Sequence, residues 1–496
     1  MKKPLRLLVP GLLAATALAG CEKFTTGYDV NPNLPAAAST ALLLTSAEVA
    51  TGLQQESGAM RVSSIWTQQF TGVSRQQASL DAYQTLASDY DNDWGTAYLY
   101  VSNNARLAEA GADVDKNPLV KGIAQTLEAL SIGQATSLWG DIPYSEAFDP
   151  TISKPKFDAQ KDVYTSVQTL LANATANLAK PGVSPAEADI FFGGNGEKWA
   201  GAANTLRARF YLHTKDYANA VKYAALGISS PDNNWVILHP GTALHADVDL
   251  LYSFLVADRS GDLTADAAFA TTLLSTTHLN AKTDETGRLQ YFYAKTAING
   301  KPIPGKKPGK ATIDYEPNVY AANVYSPGKG AFTAGNTYPI LTFAETQLVL
   351  AEAQIRLGNF TAALAALNAV RAYHASSASP YAANGKVQYD AYTAADFAAG
   401  GIAVYGAANA NEALLKEILT EKYLSLIGQV EPFNDQRRAT PLAGGSVVAK
   451  SLIGVTPKKG NALPQRFLYP QIEVTTNPNT PAQAVADLFT PTPVNK

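Results

Sequence analysis

The sequence predicts a mainly α fold, a helical scaffold interrupted by one long loop-rich insertion. Three observations predict it. Apolar residues recur at three- and four-residue intervals through much of the chain, as amphipathic helices require. Two segments repeat a helix–turn–helix pattern. Between them, about residues 228–340 are rich in Pro and Gly and have weak helical period apart from 264–275.

The chain opens with Lys2, Lys3 and Arg6, then an apolar run from Leu7 to Ala19 and the small-residue exit Leu18-Ala19-Gly20-Cys21. A basic start, a short apolar run and a small-residue exit make residues 1–20 a secretory signal peptide, too short to span a bilayer comfortably. Cys21 is the only cysteine of 496 residues, so no intrachain disulfide is possible. Residues 21–35 contain the turn-rich run EKFTTGYDVNPNLP and read as a tether, and 36–496 read as a single domain. Helices are expected near 40–55, 93–110, 119–138, 160–179, 197–213, 217–227, 343–357, 361–373 and 411–427.

Two of these regions align. RARFYLHTKDYANAVKYA (207–224) and AEAQIRLGNFTAALAALN (351–368) each read as helix, tight turn, helix. Gly358, or Lys215 in the first copy, ends the leading helix. Tyr217 or Phe360 wedges the turn, and Ala220 or Ala363 lets the two helices approach. This is a tetratricopeptide-like signature, imperfect where Lys215 replaces glycine.

The insertion interleaves Tyr252, Phe254, Tyr291, Phe292, Tyr293, Tyr315, Tyr320 and Tyr325 with its turn residues. Rings at that density need surfaces to pack on, so the segment reads as functional structure rather than a disordered linker. Charged residues make up 16% of the chain and the formal charge is −3. Typical soluble chains carry about 25% charged residues. The surface therefore relies on neutral polar groups, and no basic field for nucleic acid exists.

Motifs that suggest chemistry carry structural readings instead. Asp89, Asp91 and Asp93 in DYDNDW follow the start of a calcium loop, but Trp94 and Tyr100 stand where Gly and Glu belong. They are expected to cap the following helix. His239, His245, Asp247 and Asp249 cluster in HPGTALHADVD without helical His spacing or a nearby Glu, so no metal site is expected. GGNGEK (193–198) lacks Gly-Lys-Ser/Thr and reads as a helix entry capped near Asn195 or Gly196. In FNDQRR (433–438), Asp435 is expected to form a buried ion pair with Arg437 or Arg438. No nucleophile elbow, zinc-protease motif or phosphate loop is present. The chain is read as a binder, with no enzyme activity and no cofactor.

Nine phrases, in order, resemble the SusD/RagB family of nutrient-binding outer-membrane lipoproteins of the Bacteroidota, in its SusD-like branch. They are DVNPN (29–33), the set Asp93, Trp94 and Tyr98, GDIPYSEAF (140–148), KPKFDAQKDVY (154–164) and KWAGAANTLRAR (198–209), then DRSGD (258–262), PILTFAETQLVLAEA (339–353), EPFNDQRRAT (431–440) and LPQRFLYPQIEVTTNPN (463–479). Two departures stand out: Asn195 replaces a usual aspartate, and ETGRLQYF (285–292) lacks the usual Asp-Pro before its arginine. Leu-Ala-Gly-Cys also resembles the bacterial lipobox, which makes Cys21 the lipidated residue and the membrane anchor.

The resemblance implies a scaffold of tetratricopeptide-like units, a lipid anchor in the outer membrane, cell-surface exposure, and a SusC-like TonB-dependent transporter as partner. The ligand would be a nutrient, an oligosaccharide first and a peptide second. A periplasm-facing tetratricopeptide scaffold lipoprotein is the alternative from another class. The ligand site is expected where the polar stretch TQQFTGVSRQQASLDAY (67–83) meets the insertion. Trp66 and Tyr83 bracket that stretch, and the family's arrangement sets Tyr252, Arg259, Tyr291 and Tyr315 across from it.

Overall fold

Helix starts are written into the chain by capping residues. Ser39 accepts a hydrogen bond from Leu42 N to begin α1 (Thr40–Glu56). Ser57 separates it from α2 (Gly58–Trp66). After a π-helical stretch, α3 (Asn103–Val114) ends in a short turn, and Asn117 with Pro118 opens α4 (Pro118–Trp139). Then come α5 (Gln160–Leu178), α6 (Gly196–His213) and α7 (Tyr217–Ala224). Beyond the insertion lie α8 (Phe343–Arg356), α9 (Phe360–Ala375), α10 (Ala410–Ser425) and α11 (Glu431–Ala439). The computed structural model describes residues 38–295, 297–298, 301–302, 315–321, 328–439, 452–483 and 485–496. The signal peptide, Cys21 and the whole tether lie outside the described residues, as do parts of the insertion's Pro/Gly runs.

Neighbours in sequence are neighbours in space. α3 packs on α1 and α4, α4 on α5, α5 on α6, α7 on α8, and α8 on α9 and α10. Helix α4 is buried along nearly all of its length. Ala220 and Ala363 are fully buried, as the close-approach positions require. The two repeats are joined by buried polar contacts: Arg209 donates from Nε and Nη2 to the two carboxylate oxygens of Glu345 at 2.6 and 2.7 Å. Thr205 and Thr346 share a hydrogen bond at 3.0 Å. The expected helix entry holds, since Asn195 accepts from Lys198 N at 3.0 Å. The expected pairing of Asp435 falls on Arg438, which also bridges Glu352, while Arg437 binds backbone carbonyls.

The aspartates of DYDNDW do not cap the helix that follows them. Asp93 accepts from Ala59 N at 2.9 Å and from Ser57 Oγ at 2.8 Å, so it caps α2. Asp91 accepts from Ile472 N, and Asp89 turns back to Leu86 N. Long-range caps of this kind have no signature in local spacing.

The described part of the insertion is built from short elements. Strand β1 (Thr71–Gly72) of the early loop pairs antiparallel with β3 (Leu263–Thr264), and β2 (Trp235–Leu238) with β6 (Thr337–Leu341). Strand β4 (Tyr293–Lys295) pairs with β5 (Tyr315–Pro317). Arg75 clamps Asp262 at 2.8 Å, and Tyr315 N donates to Asp266. The insertion is thus stitched to the early loop at one edge and to the front of α8 at the other.

Candidate functional site

The six residues expected at the ligand site divide into core and surface. Trp66 ends α2 and is completely buried, its rings edge-on to Phe433 and Phe467, both at 5.4 Å, with Nε1 donating to Leu80 O. Tyr83 is 6% exposed, and its hydroxyl accepts from Lys458 N. Tyr315 is 9% exposed in β5. These three are core residues with almost no face to offer a ligand, which corrects the expectation for them. The polar side chains around them are committed as well: Gln69 donates to Tyr423 O and accepts from Gly428 N, so its amide satisfies backbone rather than hydroxyls. Arg259 is exposed and Tyr252 half-buried, on the outer side of the insertion.

Tyr291 is different. It sits in the short helix Thr286–Phe292 and lines a cavity of about 280 Å³, between the insertion and the ends of α9 and α10. Aromatic walls come from Tyr291, Phe292, Phe332, Tyr373 and Tyr381. Tyr291 and Tyr381 meet edge-on at 5.5 Å, and His374 lies 5.0 Å from the Tyr381 ring. The floor is ordered: Tyr338 donates its hydroxyl to Gln55 O or Gly428 O, at 3.0 and 3.1 Å. The hydroxyls of Tyr291, Tyr373 and Tyr381 and the Gln429 amide, by contrast, have no hydrogen-bond partner among the described residues.

Among the described residues, the lining contains no Lys, Arg, Asp or Glu. Burial pushes the phenols of Tyr291, Tyr373 and Tyr381 above their ordinary range, so they stay neutral. Burial, helped by the Arg288 guanidinium, also lowers the pKa of the His374 imidazole, which keeps the ring uncharged. Its Nε2 lies 3.2 Å from Ser425 Oγ and 3.2 Å from Glu421, while Nδ1 has no partner. Flat apolar rings with free hydroxyl and amide tips, and no fixed charge, suit a neutral ligand rich in C–H faces and hydroxyls.

Sequence reasoning passed over the half of this cavity supplied by Tyr373, His374 and Tyr381. The available signal was AYHASSASPY (372–381), where rings flank a Ser/Pro turn directly after a repeat helix. It was masked by the aromatic density of the insertion.

Behind the cavity, His278, Arg288 and Arg371 face Glu285, Glu417 and Glu421. The two carboxylates beside His278 outweigh its burial and raise it to about 10, so three cations balance three anions. This set is charge-balanced without a metal, and it anchors α10 to the insertion. His278 is therefore a buried ion-pair residue.

Helical hairpins packed in series, with an aromatic cavity at one end, define a protein of the helical-repeat type. The chain belongs to the SusD-like family described as starch-binding and associating with the outer membrane, whose model matches residues 32–470. Its fold is shared with a SusD/RagB family protein from Bacteroides thetaiotaomicron, at TM-score 0.65 and 20% identity, covering 91% of this chain and 96% of that one. A chitin-binding protein matches at TM-score 0.62 and 20% identity, over 89% of this chain and 95% of that one. A chitin-binding SusD homologue from Flavobacterium johnsoniae matches at TM-score 0.61 and 16% identity, over 88% and 93%. No curated protein sequence matches.

Proposed function

We propose that this protein is a cell-surface lipoprotein, anchored through Cys21, that captures an oligosaccharide and delivers it to a SusC-like TonB-dependent transporter in the outer membrane. Its role is binding rather than catalysis. The observation that carries this reading is the uncharged aromatic cavity, whose free phenol and amide groups match the hydroxyls of a sugar. At about 280 Å³ it lies near the small end of ordinary ligand pockets, about 300–1,000 Å³, and suits one end of a chain rather than a long stretch of it. Peptide is the weaker ligand class, because termini and charged side chains would meet no counter-charge in the lining.

Chito- and malto-oligosaccharides are the first ligands to test, since relatives and the family description name chitin and starch. Calorimetric titration of each, together with a mixed peptide pool, tests the ligand class. Saturable sugar binding supports the proposal, and binding of peptides alone overturns it. Cys21→Ser should release a folded protein from membranes. Gentle detergent extraction should recover a barrel partner, whereas recovery of periplasmic proteins alone would favour the scaffold alternative.

A further inference from the structure

HPGTALHADVD lacks a glutamate in sequence, and the fold supplies one. Glu56, the last residue of α1, lies against His239 at the end of β2 and Asp249 ahead of the short helix Leu250–Ser253. One ligand atom from each lies within 4.8 Å of the others. Glu56 and Asp249 are 1% and 0% exposed, and His239 is nearly buried at the rim.

The surrounding bonds orient all three residues. His239 Nδ1 lies 3.0 Å from Asn336 O, and a carbonyl only accepts, so Nδ1 carries a proton and Nε2 is the ring atom that can offer a lone pair to an ion. Glu56 Oε2 accepts from Leu250 N at 3.0 Å. Asp249 Oδ1 accepts from Tyr252 N at 2.8 Å, and Oδ2 from Asn336 Nδ2 at 3.2 Å. Glu56 Oε1 is left over. It is buried, has no hydrogen-bond partner among the described residues, and lies 3.2 Å from His239 Nε2. Two donor atoms about 2.0–2.1 Å from a common ion, as in Zn²⁺ sites, stand a little over 3 Å apart along a coordination edge.

We infer that Glu56, His239 and Asp249 form a binding site for a divalent metal ion of the imidazole-accepting kind, such as Zn²⁺. The imidazole's outer N–H held by a backbone carbonyl is the outer-shell arrangement of metal-bound histidines. Charge agrees: a divalent ion with a neutral imidazole cancels the two buried carboxylates. An ion here ties the end of α1 to the insertion. It also braces Asn336, which lines the cavity while holding both His239 and Asp249.

The test uses the untagged full chain, stripped with EDTA and titrated with ZnCl₂ by calorimetry, with bound metal counted by mass spectrometry and melting followed in parallel. One ion per chain is expected, with a rise in Tm that EDTA reverses. Loss of outer-shell partners alone costs about 10–100-fold in affinity, so His239→Ala should weaken binding by at least about 100-fold. Glu56→Gln, which keeps the shape, should do the same and serves if the histidine variant does not fold. His245→Ala, at an exposed neighbouring histidine, should leave affinity unchanged. No saturable binding, or equal binding by the Glu56→Gln variant and the parent chain, would overturn the assignment.

Discussion

Two of the aromatic clusters among the described residues differ at their polar tips. In the first, Trp66, Trp94 and Trp139 pack with Tyr90, Phe433 and Phe467 at centroid distances of 4.7–5.8 Å. Every indole there has a partner: Leu80 O, Glu473 and Leu468 O. In the second, around Tyr291, Tyr373 and Tyr381, the rings pack equally well but their hydroxyls face an open cavity. The closed cluster spends its polar atoms on the fold, and in the proposed function the open one keeps them for a ligand. Partnering of the tip, more than the presence of a ring, is what distinguishes these two clusters.

The largest expected effect breaks the closed cluster. Trp66→Ala should cost about 3–5 kcal/mol of stability, as large-to-small changes at buried aromatics do, measured by denaturant unfolding. A loss below about 1 kcal/mol would mean that Trp66 is not packed as described.

The next effect comes from charge, which the scaffold uses and the cavity avoids. Burial raises Glu352, but the Arg438 guanidinium outweighs it and holds the carboxyl at about 2. Its folded pKa is thus depressed, so the stability it contributes is fully present above about pH 4.5 and lost as pH falls towards 2. Melting temperature should decline steadily below pH 4.5, and a flat profile from pH 5 to 3 would contradict the ion-pair account.

A smaller contrast lies between the repeats. Gly358 (φ +82°) and Lys215 (φ +62°) occupy the same turn position in left-handed backbone. Open space surrounds Gly358, so Gly358→Ala should cost about 1–2 kcal/mol through backbone strain alone. Lys215→Gly should be neutral or stabilising by up to about 1 kcal/mol. Thermal melts of both variants check the pair, and a destabilised Lys215→Gly would show that the lysine side chain supports the turn.

The scaffold was legible because helical period is local. The expected helix at 119–138 spans Pro118–Trp139, and that at 160–179 spans Gln160–Leu178. Even the imperfect repeat was readable, since Lys215 adopts the backbone its glycine counterpart does. The cavity was less legible. Tyr291 lines it, whereas Trp66 reads the same in sequence and is core, because Phe433 and Phe467 reach it from the far end of the chain. Glu56 meeting His239 and Asp249 is equally invisible until α1 and the insertion are folded together.

The central claim is that the free phenols of the open cluster hold the ligand. The direct measurement is calorimetric titration of the best-bound oligosaccharide into the parent chain and a Tyr291→Phe/Tyr373→Phe variant. This change removes two hydroxyls and leaves the rings. Each hydrogen bond is worth about 0.5–1.5 kcal/mol net, so losing two should lower affinity about 5- to 150-fold with the fold intact. Unchanged affinity in the folded double variant would contradict the claim and place the sugar elsewhere on the surface.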